Sequence, residues 1–209
     1  MINKIESIFN NRKAGIIGKY RKSAVMLLIS EEADEAHLIF EVRAKTLRHQ
    51  PGDICLPGGK IEENENPRDA AIRETLEELN LEPQHIEYVG EMDYFISPYG
   101  TIMYPFVAKL NKCEVTPNKG EVDHIFKVPI SYFLDREPQS YEMEIGPSLK
   151  EDFPYDLVKG GKNYNFSKGT MNQYFYSYGD YVIWGFTAMV VKSFIDIIKK
   201  EEPKQQSSF

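Results

Sequence analysis

The segment Pro57 to Leu81 leaves the chain few conformational choices, because both ends are punctuated and the middle suits only a helix. Pro57-Gly58-Gly59 is a turn signal. After a short polar loop, Asn66 is a good N-cap, Pro67 suits the first helical position, Asp69 stands three residues past the cap, and Asn80 can take the left-handed conformation that ends a helix. The spacing predicts a helix over Pro67 to Leu79. At about 100° per residue, Glu74, Glu77 and Glu78 fall within about 100° of one another, while Ile72, Leu76 and Leu79 lie opposite. One face is expected to be buried and the other strongly acidic.

Three carboxylates held that close repel one another, so a cation is expected between them. Oxygen ligands without Cys or His partners favour Mg²⁺ or Mn²⁺ over Zn²⁺. The two cysteines, Cys55 and Cys113, lack metal-like spacing and give no disulfide framework. Arg73 lies within reach of Glu65 and Glu77, and an ion pair to either would fix carboxylate orientation. Upstream, Arg43, Lys45, Arg48 and His49 form a basic island in a chain of net charge −7 and lead directly into the turn. Arginines beside cation-loaded glutamates suit a polyanion, such as a pyrophosphate bearing an extra phosphate. Glu121, in the loop before a predicted strand, is a candidate general base alongside Glu77, with His49 and His124 as lesser alternatives.

Gly59-x5-Glu65-x7-Arg73-Glu74-x-x-Glu77-Glu78 resembles the Nudix box, which Gly59 to Leu81 follows in register. Thr75 stands where an aliphatic residue is usual and Asn80 where the box has its last Gly; neither change touches a ligand. Arg43-Ala44-x3-Arg48-x3-Gly52-x3-Leu56-Pro57-Gly58-Gly59 resembles the additional motif of the coenzyme A pyrophosphatase branch of that family. It departs at Glu41, Ala44 and Leu56, where Thr, Ser and Phe are common. Ile183-Trp184-Gly185-x-Thr187-Ala188 is similar to the same branch.

The resemblance implies an α/β sandwich, a mixed sheet between helices with a loop-helix-loop metal site at one edge. It implies Glu74 and Glu78 as the main metal ligands, Glu77 as a further ligand or the base, and the Gly59 carbonyl oxygen in another position. Glu65 is either a ligand or a support, with Arg73 in the catalytic constellation beside Glu77 and Glu121. Arg43 and Arg48 would bind substrate. The implied reaction is Mg²⁺- or Mn²⁺-dependent hydrolysis of coenzyme A, free or acylated, to 3′,5′-ADP and 4′-phosphopantetheine or its acyl form. Two alternatives stand beside it: another nucleoside diphosphate derivative, such as ADP-ribose or a dinucleotide polyphosphate, and a catalytically silent ligand sensor.

With 209 residues and 42% hydrophobic content, the chain can build one sizeable core, expected as a single domain over 1–200. Ile5 to Phe9 sits in a short amphipathic helix. Ala24 to Ile29 and Leu38 to Arg43 read as a hairpin, and Ile86 to Tyr94, Thr101 to Leu110 and Val122 to Val128 as further strands. Residues 136–180, rich in Pro, Gly and Tyr, are expected to form loops and a hairpin that shape the pocket or make a homodimer contact. Trp184 to Lys200 reads as a helix packed through Phe186, Met189, Val190, Phe194, Ile197 and Ile198, with 201–209 a disordered tail. Tyr94, Phe95, Tyr99 and Tyr104 either stack on a base or pack the core.

The acidic balance argues against general nucleic-acid binding, and no apolar run reaches the ~18 residues of a membrane span. The expected partner is a small molecule, with no nucleic acid and no membrane, and the expected setting is the cytoplasm. The terminal Gln205-Gln206-Ser207-Ser208-Phe209 is not a Ser-Lys-Leu address.

Overall fold

A computed structural model describes residues 1–201 and shows an α/β sandwich. Residues 202–209, most of the expected tail, lie outside the described residues, and Glu201 closes the last helix. The chain opens with α1 (Ile2–Phe9), which buries none of its residues. β1 (Arg21–Glu32) and β2 (Glu35–Arg43) form the expected hairpin. Its two-residue turn, Ala33-Asp34, has positive φ at both positions, the geometry that matches the twist of paired strands.

β3 (Ile54–Cys55) pairs with β2, and β4 (Gly58–Lys60) pairs with β1. The helix α2 (Pro67–Leu79) has the predicted bounds and the predicted caps. The Asn66 side chain accepts from the Arg68 N–H, and Asn80 is left-handed. Next come β5 (Ile86–Glu91), β6 (Phe95–Ser97), β7 (Thr101–Leu110) and β8 (Val122–Pro129). The strand expected to reach Tyr94 stops at Glu91, after a register shift between Tyr88 and Gly90. β1 and β7 run parallel and the other pairs antiparallel, so the eight-stranded sheet is mixed.

Alternation along β1 and β2 assigns the two faces. Ala24, Met26, Leu28 and Ile39 pack with Ala70, Ala71 and Leu79 of α2. Leu27, Leu38, Phe40 and Val42 pack on the other side with Phe133 of α3 (Ile130–Leu134) and with Val190, Val191, Phe194 and Ile195 of α4 (Gly185–Glu201). The buried residues of α4 are Ala188, Val190, Val191, Phe194 and Ile195, so the expected anchors Val190 and Phe194 hold, whereas the expected anchor Ile197 is exposed. Trp184 ends the preceding strand, one residue before the helix begins.

Residues 136–180 are more ordered than loops and a hairpin. β9 (Gln139–Ile145), β10 (Gly169–Tyr178) and β11 (Tyr181–Trp184) form a second, three-stranded antiparallel sheet. The expected hairpin is its β10–β11 half. The β9–β10 half joins Ile145 to Gly169 across a long excursion that local periodicity does not reveal.

Candidate metal centre and adjoining cavity

The acidic face of α2 is not cleanly separated from its buried face: Glu78 is buried, Glu74 is half-buried and Glu77 is exposed. The residues buried from α2 are Ala70, Ala71, Thr75, Glu78 and Leu79, so Glu78 enters the protein beside two alanines and a threonine small enough to bring the helix close to the sheet. The Thr75 hydroxyl donates back to the Ala71 carbonyl at 2.7 Å, satisfying the one polar group that its substitution for an aliphatic residue introduces. Ile72 and Leu76 are only half-buried, at the margin of the core.

Glu78 is 5% exposed, and its Oε2 accepts the Gly58 N–H at 2.8 Å. Burial pushes its pKa up to about 7, with Glu74 and Glu121 adding repulsion against the Gly58 bond and Arg43. Across from it on β2 stands Glu41, 1% exposed. Its Oε1 has no hydrogen-bond partner, although Glu78 lies near enough to join burial in holding the Glu41 carboxyl well above the ordinary range. Glu74 is also raised, first by burial and then by Glu77 and Glu121, against the attraction of Arg73.

Arg73 organises the outer half of the cluster. Its fork grips Glu65 through Nε at 2.8 Å and Nη2 at 3.0 Å, and Nη1 reaches Glu74 at 2.8 Å and Glu77 at 3.4 Å. Nη2 also donates to the Lys60 carbonyl at 3.1 Å. Both ion pairs expected of Arg73 are present, and Glu74 is a third. Glu65 is held by this fork, and by the Glu62 N–H, at a pKa of about 2. Both oxygens of Glu65 are engaged, which ties the box loop to α2.

The two glycines of the turn make the close approaches. A Cβ on Gly58, whose φ is +146°, would lie 2.3 Å from the Ala24 carbonyl oxygen. A Cβ on Gly59 would lie 2.4 Å from the Glu74 Cδ, so the Glu74 carboxylate rests directly on the Gly59 backbone.

These residues fit a divalent cation by chemistry. Burial and like-charge repulsion, to which Glu121 adds its charge, raise the pKa of three carboxyls, Glu41, Glu74 and Glu78, in a partly dry site, and Glu41 carries an unpartnered buried oxygen. An all-oxygen donor set suits a hard ion. Among the described residues no three such side chains already form a ligand group, so side-chain rotation away from Arg73 would have to close the shell.

The expected site residues divide accordingly. Gly59, Glu65, Arg73, Glu74 and Glu78 come together, and Glu121 approaches from the turn before β8. Glu77 is outermost, its side chain 57% exposed. Arg43, displaced by a bulge at Val42/Arg43, enters a cavity of about 480 Å³ beside the turn. Arg48 is exposed in the loop and outside that lining. His124 is held by Asp123 at 2.7 Å and by the Tyr181 hydroxyl at 3.0 Å, and His49 is exposed.

The cavity also brings together the motif patches that are distant in sequence. Arg43, Gly58 and Gly59 face Trp184, Gly185 and Thr187, and the Thr187 hydroxyl donates to the Ile54 carbonyl at 3.3 Å. Tyr99 lines this cavity, whereas Tyr94 and Tyr104 pair at 5.6 Å beside a separate groove that touches none of the α2 glutamates. Glu41 is the member that sequence reading passed over as a mere departure from a motif. The available signal was a glutamate inside the apolar run Leu38 to Val42, on the same strand face as Arg43.

A family profile for the NUDIX domain matches residues 19–143. The peroxisomal coenzyme A diphosphatase NUDT7 of Mus musculus is 33% identical over 150 residues, covering 68% of this chain and 63% of its own length. The peroxisomal coenzyme A diphosphatase ndx-8 of Caenorhabditis elegans is 32% identical over 122 residues, 56% of this chain and 52% of its own. The chain therefore spans between about half and two thirds of these curated relatives. A MutT/nudix family protein from Enterococcus faecalis superposes with a TM-score of 0.53 over 95% of this chain and 70% of its own, at 14% identity, a likeness of fold alone. With the box assembled around Glu78 and the family profile covering more than half its length, the chain belongs to the Nudix hydrolase family.

Proposed function

We propose that this protein is a metal-dependent pyrophosphohydrolase that cleaves coenzyme A or its acyl derivatives to 3′,5′-ADP and 4′-phosphopantetheine or the acyl form. The observation that carries this reading is the single cavity in which Arg43 and the Gly58-Gly59 turn meet an apolar wall of Met143, Trp184 and Phe186. Such a space offers a cation for phosphate and a dry surface for a long, mostly apolar arm. The names of the two coenzyme A diphosphatases support it. Both names also carry a peroxisomal setting, while the cytoplasmic expectation for this chain rests on sequence features alone.

Glu74 and Glu78 are the proposed holders of Mg²⁺ or Mn²⁺, with the Gly59 carbonyl and Glu77 completing the set. The bound ion would neutralise charge on the diphosphate and acidify the attacking water. The Gly58 N–H fixes Glu78, and Arg73 fixes Glu74 while leaving the reaction to others, so Arg73 is a positioning residue. Glu121 is the proposed proton acceptor, since it adjoins the cluster and carries no ion pair among the described residues. The domain reading is one Nudix unit over 1–200 in which 136–180 shapes the pocket, supported by Met143 of β9 and Gln173 of β10 in its lining.

Purified protein with Mg²⁺ or Mn²⁺ should release 3′,5′-ADP from coenzyme A in preference to AMP from ADP-ribose or nucleotides from dinucleotide polyphosphates, as read by mass. Preferred turnover of ADP-ribose would reject the coenzyme A assignment, and no turnover on any of them would favour a silent sensor. Arg43→Ala should raise KM for coenzyme A by about tenfold to a hundredfold, the value of a charge-assisted phosphate contact, with a much smaller change in kcat. An unaltered KM would remove Arg43 from substrate binding.

A further inference from the structure

The first 22 residues carry six basic side chains and one acidic one, a local charge of +5 in a chain whose total is −7. The remaining residues therefore sum to −12, and the molecule is strongly polarised along its sequence. Lys4, Arg12, Lys13, Lys19, Arg21 and Lys22 are all exposed. So are the apolar residues between them. Ile2, Ile5, Ile8 and Phe9 fall on one side of α1 at helical spacing, and the helix buries none of them. The Arg12 guanidinium sits 5.9 Å from the Phe9 ring centroid, which places a charge at the border of the apolar face. Beyond the helix, Ile16 and Ile17 extend the exposed apolar edge, with Ile17 96% exposed.

We propose that residues 1–22 dock the protein on the surface of an anionic lipid bilayer, with the apolar face of α1 among the acyl chains and the basic residues against the headgroups. Charge decides among the occupants. A second copy would bring two +5 segments face to face, and a nucleic acid would satisfy the cations but leave the isoleucines in water. An anionic bilayer matches both at once. No helix among the described residues is long and apolar enough to cross a membrane, which bears on crossing and not on lying at the interface. The expectation of no membrane partner concerns spanning and insertion, neither of which peripheral docking requires. The proposal stands apart from the hydrolase assignment, because none of these residues enters the metal cluster or its cavity.

The test is sedimentation of the full chain with vesicles of phosphatidylcholine alone, or containing about one third phosphatidylglycerol. The wild type should partition at least about tenfold more strongly to the anionic vesicles and lose this on addition of salt. The double variants Ile5→Glu/Phe9→Glu and Arg12→Glu/Lys13→Glu should each lower that partition by about tenfold or more. Melting temperature and hydrolysis of a water-soluble substrate should be unchanged in both. Equal partition to the two vesicle types, or none to either, would overturn the proposal. So would an Ile5→Glu/Phe9→Glu variant that binds vesicles normally, or one that turns a dimer into a monomer while vesicle binding is absent, which would give the face to a second copy.

Discussion

Glu78→Gln is expected to lower kcat by about a thousandfold while making the metal-free protein more stable. The loss follows from removing a charge proposed to hold the cation, since metal stabilisation of a diphosphate transition state amounts to several kcal/mol, and each 1.36 kcal/mol is about tenfold. The gain follows from burial. Glu78 is 5% exposed beside Glu41, and its pKa stands at about 7 against an ordinary value of 4.5. Between those pH values the folded state binds more protons than the unfolded one, so stability falls as pH rises through that window. In chelator, the contribution is intact below about pH 4.5 and lost above about pH 7, a difference on the order of a few kcal/mol shared with the neighbouring carboxyl of Glu41. A glutamine keeps the shape and carries no charge to bury. Thermal melts in chelator at pH 5 and pH 8 should thus diverge for the wild type and diverge less for Glu78→Gln, which keeps only the Glu41 contribution, and Mg²⁺ should restore only the wild type at pH 8. Wild-type melts that ignore both pH and Mg²⁺ would mean that Glu78 holds no cation.

The bounds of α2 are legible because every determinant is local. Asn66, Pro67 and Asn80 act on neighbouring backbone groups, and the structure uses each as its chemistry suggests. The pairing of Arg73 with Glu65 and Glu77 is legible for the same reason, since loop and helix spacing alone bring them within reach. The orientation of the helix is not legible. A wheel drawn on hydrophobicity favours Ile72 and Leu76, whereas close packing on the sheet favours small residues, so Ala71 and Thr75 go inside and carry Glu78 with them. Glu41 escapes for a related reason. A buried carboxyl in a strand contradicts residue-type burial preferences and is tolerated only where function requires it. The β9–β10 pairing is lost because it joins residues far apart in sequence, and β9 is largely exposed, which removes the alternation that would announce it.

The adjacent glycines of the turn should separate folding from catalysis. Gly58→Ala is expected to cost about 3–5 kcal/mol, combining overpacking with left-handed strain. The new methyl would meet backbone on β1, 2.3 Å from the Ala24 oxygen and 2.6 Å from the Val25 Cα, and neither can move without breaking the Val25–Gly58 pairing. For a chain of this size that is a melting temperature about 10 °C lower. Gly59→Ala meets only the mobile end of a side chain, the Glu74 carboxylate at 2.4 to 2.7 Å. Glu74 can swing aside, so stability should change by less than about 1 kcal/mol, while kcat/KM falls by about a hundredfold because the carboxylate has left its place. A double-mutant cycle isolates the cause. If the harm passes through Glu74, adding Gly59→Ala to Glu74→Gln should cost little further activity, whereas additive losses would assign the effect to the Gly59 backbone itself.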